Sequence, residues 1–224
     1  MRGVRWALVL TILALFSAPS LSCSQELSGI RPLRPSLEDA LRELPSDTQL
    51  LLEPAHIEAF LTELEGAPPD WVVLYGGGHH DPGHDERLFA LNRDRDAKRT
   101  GNEVLSRRLA FVWQGELSAF EAEEQGFPVV LGPKMNKTVW GVVRFKDEDL
   151  PGRLVATTTE QVNIIKERLA GGKPVELDVV LAGRLIPEES VIYDFSHEEE
   201  GLGLIMPVVR IEALEFALRD SSHP

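Results

Sequence analysis

The hydrophobic period of the chain changes near residue 109, and that change sets the fold class. Before it, apolar residues recur at helical spacing: Leu37, Ala40, Leu41 and Leu44, then Ile57, Phe60, Leu61 and Leu64. Ser36 and Pro54 open these two helices, and Pro45 and Gly66 stop them. A short strand is expected over 49–52 and another over 71–75. A charged helix should follow over 85–99, with Asp85 as its N-cap, and a helical turn over 103–108. From residue 109 the pattern becomes β-like. Runs rich in β-branched and aromatic residues occupy 109–114, 129–131, 138–145, 153–157, 175–185, 191–195 and 204–216. One amphipathic helix interrupts them over 159–170, with Val162, Ile165 and Leu169 on one side and Gly171-Gly172 at its end. The expected class is α+β, with a mainly helical N-terminal region at 36–108 and a β-rich domain at 109–224.

The order of strand, strand, helix, then strands suits a small antiparallel sheet or a partly open barrel with one inserted helix. Across 138–217 it resembles an OB-type arrangement, where a helix sits between the third and fourth strands. The passage from the helix through Gly171-Gly172-Lys173-Pro174 into the long strand at 175–184 resembles the matching turn of exported OB-like domains. Many domains of that kind bind nucleic acid, but fold does not fix function.

The N-terminus reads as an export signal over 1–22. Arg2 and Arg5 form a positive n-region, 6–16 is apolar except for Thr11, and 17–22 is a run of small residues with Pro19. The apolar run is shorter than the roughly 20 residues a spanning helix needs. Ser20 and Ser22 suit ordinary signal peptidase, which would leave a secreted protein. Ser20-Leu21-Ser22-Cys23 also resembles the lipobox of bacterial lipoproteins. That resemblance implies a lipid on Cys23 as the first mature residue and attachment to a membrane. With Ser24 in place of Asp, it also implies an outer-membrane location facing the periplasm. Residues 23–35 read as a tether. Cys23 is the only cysteine, so no internal disulfide can form, and lipidation would remove a free thiol in an oxidising compartment.

Beyond residue 22, 202 residues remain, with 21 basic against 36 acidic side chains. This balance disfavours nucleic acid, whose binding depends on cations neutralising phosphate. It also disfavours electrostatic docking on anionic lipid.

The densest cluster of chemistry-bearing residues runs from Gly76 to Glu86 and holds His79, His80, Asp81, His84 and Asp85. Imidazole and carboxylate together suit zinc or a similar divalent ion. Pro82 and Gly83 break any helical pairing of His80 with His84, and no H-E-x-x-H occurs. The plainer alternative is a solvated loop before a helix. His197, within a second acidic stretch at 193–201, would join such a site if the fold brought it close. No Walker loop and no G-x-S-x-G is present. Trp71, Trp113 and Trp140 suit either a core or a ligand groove. Asn136-Lys137-Thr138 matches a glycosylation sequon. The sequence thus favours an exported, lipid-anchored, non-enzymatic binding or scaffold protein with no cofactor and an unidentified protein or small-ligand partner. The alternative is a divalent-metal hydrolase built on His79, His80 and His84 with Asp81 or Asp85.

Overall fold

The computed structural model describes residues 30–76, 81–150, 152–196 and 201–219. The signal segment, Cys23, His79, His80 and His197 lie outside them. In chain order the elements are β1 (Ile30–Arg34), α1 (Leu37–Arg42), β2 (Thr48–Leu50), α2 (Pro54–Glu65), α3 (Trp71–Tyr75) and α4 (His84–Arg99). A 3-10 turn at Glu103–Ser106 leads into β3 (Arg108–Leu117), β4 (Phe127–Gly132), β5 (Asn136–Thr138), β6 (Gly141–Val143), β7 (Lys146–Glu148) and β8 (Leu154–Ala156). Then come α5 (Thr159–Ala170), β9 (Glu176–Leu185), β10 (Val191–Phe195) and β11 (Gly203–Leu218). The class is α+β, dominated by a sheet that closes on itself.

Six strands make the barrel, in the order β1–β8–β4–β3–β9–β11, and β11 pairs back onto β1. The two pairings of β1 are parallel and the other four are antiparallel. The N-terminal half of β11 runs on past the barrel, where it pairs with β10, β6 and β7. A bulge between Ile211 and Ala213 divides the two halves. Gly183 sits opposite that bulge, where a Cβ would run into the Arg210 carbonyl.

Strand alternation fills the interior. Leu109, Phe111 and Trp113 of β3 face inward with Leu177, Val179 and Leu181 of β9 and Leu214 and Phe216 of β11, all buried. Phe111 stacks on Phe145 at 4.4 Å. Ile57, Phe60 and Leu61 of α2 belong to the same core. Helix α5 starts with a capping box: the Thr158 hydroxyl accepts from the Gln161 amide, and the Gln161 side chain accepts from the Thr158 amide. Its buried Ile165 faces the barrel. Helix α1, capped by Ser36, packs Ala40 on Val180 and Ala217 of the outer face.

Four expectations are corrected. The tether over 23–35 does not extend through Ile30–Arg34, because these residues pair with β8 and β11. Residues 71–75 are helical rather than a strand, because the Asp70 carboxylate accepts from the Val73 amide and starts a turn, and Trp71 anchors it. The stretch 138–145 is a hairpin, not one strand: Thr138 donates to the Gly141 carbonyl and accepts from the Trp140 amide, folding β5 onto β6. Helix α4 starts at His84 with Gly83 as N-cap, so Asp85 lies inside the first turn. The Asp81 carboxylate accepts from the Gly83 amide and fixes that start.

Candidate functional site

The described part of the His loop is held by an ion pair. Asp81 accepts from Arg87 Nη2 at 2.6 Å, and Arg87 Nε donates to the Leu74 carbonyl at 2.9 Å. This ties the start of α4 to the end of α3, and it commits the Asp81 carboxylate to a guanidinium. Asp85 is highly exposed, with one carboxylate oxygen 3.3 Å from His84 Nε2. The His84 ring is mostly buried and stacks on Phe195, with centroids 5.3 Å apart and planes 13° apart. Among the described residues, no three His, Cys, Asp or Glu groups gather to hold a metal. The structure does bring the end of β10 against His84, and His197 follows Phe195 by two positions in the chain.

Between α2, α4 and β10 lies a charged network that sequence reasoning missed. The side chains of Glu65 and Arg99 are 1% and 2% exposed, and Arg99 Nη1 donates to Glu65 at 2.5 Å. Arg99 Nη2 also reaches the Asp96 carboxylate and, at 3.1 Å, the Val191 carbonyl. Arg95 bonds the other Glu65 oxygen at 3.2 Å and lies over the rings of Tyr193 and Trp140. Asn92 accepts from the Tyr193 amide and donates to its carbonyl, acting as an extra strand residue beside β10. Burial, followed by the neighbouring Glu65 charge, pushes the Tyr193 hydroxyl well above the ordinary tyrosine range. The network bolts α2 and α4 onto β10. A signal was present: Asn92, Arg95 and Arg99 share one helix face. The alternating charges of Asp94-Arg95-Asp96 hide that face within a helix that reads as charged all round.

The tryptophans are core and anchor. Trp113 and Trp140 are buried, and Trp71 Nε1 donates to the Trp140 carbonyl at 2.6 Å. The Trp71 indole lies against Gly203, whose missing side chain makes room for it. The sequon residue Asn136 is buried, with its amide nitrogen donating to the carbonyls of Lys134 and Val143.

An open surface lies elsewhere, on the outer faces of β3 and β4. Two clefts, of about 250 and 420 Å³, meet at Val130, which is 64% exposed. Gln114, Glu116, Glu176 and Arg219 border the first. Glu121, Glu124 and Arg153 border the second. Glu116 and Glu176 are direct cross-strand partners, and Arg219 Nη1 lies 3.9 Å from the Glu176 carboxylate. No protein-family model matches this chain, nor does any curated protein or solved structure.

Proposed function

We propose that this chain is an exported, lipid-anchored module that binds a protein or peptide ligand on the outer face of β3 and β4. The observation that carries the reading is the surface around Val130: an exposed apolar side chain between two clefts, rimmed by paired carboxylates, on a barrel whose interior is filled. The strand order supports an OB-like relationship. β3, β4 and β8, then α5, then β9 and β11 follow the OB sequence, and β1 occupies the slot between β8 and β11. In such barrels the second and third strands and the first loop form the binding face. Here those parts are β4, β8 and the loop over 118–126, next to Val130. The carboxylate rim opposes phosphate, so the ligand class is an extended segment with cationic and apolar side chains.

The test is calorimetric titration at low salt with a short Lys-Val repeat peptide and, separately, with an oligothymidylate. Binding of the peptide, abolished by Val130→Glu and weakened by Glu116→Gln, supports the reading. Oligothymidylate binding, or peptide binding indifferent to both substitutions, overturns it. Export and anchoring rest on the sequence over 1–23, and mass spectrometry of the mature N-terminus checks them through acylated Cys23.

A metal-dependent hydrolase is the second reading, favoured by one contact. Phe195 stacks on His84 and so draws the strand that leads to His197 toward the His loop. Stoichiometric zinc in the purified protein, with stability lost on chelation, would support it. The committed Asp81–Arg87 pair counts against Asp81 as a ligand.

A further inference from the structure

We propose that β1 is an exchangeable stave, and that two copies of this chain dimerise by trading it. This is independent of what the groove around Val130 binds. The barrel has a continuous wall only because β1 fills the space between β8 and β11, yet it fills that space loosely. Ile30, Arg31 and Pro32 register with β8, whereas Leu33 and Arg34 register with β11, so among the described pairings no residue of β1 is paired on both sides. Both ladders are parallel, the weaker arrangement per residue. Pro32 has no amide hydrogen to give either neighbour, and proline is normally confined to sheet edges.

Side-chain packing is equally thin. Leu33 is the single buried residue of β1, and Ile30 is 41% exposed. Leu33 borders a cleft of about 160 Å³ that is also lined by Ile164, Ile165, Val175 and Leu218. Space beside a core side chain lowers its hold on its site. The polar anchor is Arg34, which bonds Glu215 at 3.1 Å and Glu43 at 3.3 Å. By contrast α1, immediately after β1, is firmly seated through Ala40 on the outer face. The hinge between them is Pro35-Ser36, a short connection that stays close to the barrel when β1 leaves it.

Departure of β1 uncovers two strand edges, β8 and β11, which are templates for another strand. The strand that fits them in register and side-chain pattern is β1 itself, so a second copy is the matching occupant. Exchange of an identical element costs little because each contact is replaced by its equivalent.

The test uses the full chain in a Cys23→Ser background. Ile30 and Leu154 are register partners on β1 and β8, within disulfide reach. A double variant, Ile30→Cys with Leu154→Cys, should oxidise to an intrachain disulfide at low concentration. Failure to do so would overturn the placement of β1. Next, the two single variants, one carrying a size tag, are mixed, incubated and oxidised. Exchange predicts a covalent heterodimer on non-reducing gels, rising with protein concentration. Adding Pro32→Val to both chains supplies a ladder donor to the closed and the exchanged forms alike, so it should slow the appearance of the heterodimer about fivefold, the factor one hydrogen bond of typical net strength is worth, and leave the final yield unchanged. Absence of the heterodimer at every concentration, including after incubation near the unfolding midpoint, overturns the proposal.

Discussion

Replacing Arg99 with methionine tests whether the buried network holds the helices on the barrel. Methionine keeps most of the stem volume and removes the guanidinium. Glu65, only 1% exposed, would then keep Arg95 as its one cationic partner, at 3.2 Å. Breaking a buried ion pair from one side costs about 3–5 kcal/mol, because the remaining charge stays desolvated. The surviving Arg95 contact puts Arg99→Met at the lower end, about 3 kcal/mol. For a chain of this size that lowers Tm by about 6–12 °C. Urea unfolding followed by tryptophan fluorescence measures the change directly, since Trp140 and Trp71 lie beside the network. Glu65→Leu combined with Arg99→Met should cost less than the two single substitutions added together, because neither charge of that pair is then stranded. Arg107→Ala is the control. Its pair with Glu63 has the same chemistry but lies on the surface, and its loss should leave the midpoint unchanged within error. A loss below about 1 kcal/mol for Arg99→Met, the range of an exposed pair, would refute the argument that burial gives this network its weight.

Alkaline titration reports on Tyr193. Its folded-state pKa is raised, so its contribution to stability is fully present below the unfolded value near 10 and is lost as pH rises through 10 toward the folded value, at up to about 1.4 kcal/mol per pH unit. Tyr193→Phe should remove that limb from a pH series of urea midpoints, and an unchanged slope would contradict the assignment. Gly183→Ala should destabilise by about 1–3 kcal/mol, since the new methyl meets the Arg210 carbonyl at the β11 bulge; a neutral result in thermal melts would mean that the bulge yields freely. Trp71→Phe removes the donor to the buried Trp140 carbonyl and should cost about 1–3 kcal/mol, read as faster amide exchange across β5 and β6 as well as a lower midpoint.

Local chemistry made part of the fold legible. Thr158 and Gln161 mark the start of α5, and Gly171-Gly172 its end, because capping and termination are settled within a few residues. The alternation from Val175 to Val179 and the apolar run that follows it mark β9, whose outer face is exposed at first and then covered by α1 at Val180. The same local rules failed at 71–75, where β-branched residues resemble a strand. The cap from Asp70 and the docking of Trp71 against Gly203 and Trp140 make it helical. They failed again at 30–34, where Pro32 and Pro35 read as linker.

The candidate site divides along the same line. The His cluster stands out in the sequence as spacing alone. Only the fold shows that Asp81 is held by Arg87 and that His84 lies flat on Phe195. The surface around Val130 has no sequence signature, since its residues come from four strands and the loops beside them, brought together by the barrel.

By itself, then, the sequence determined the switch of period near residue 109, the α+β class and the ends of α5. Each depends on near neighbours along the chain. The tertiary structure decided the closure of the barrel by β1, the burial that turns Glu65 and Arg99 into a bolt, and the open face around Val130. These depend on which distant segments meet and where water is excluded, and no local spacing encodes either.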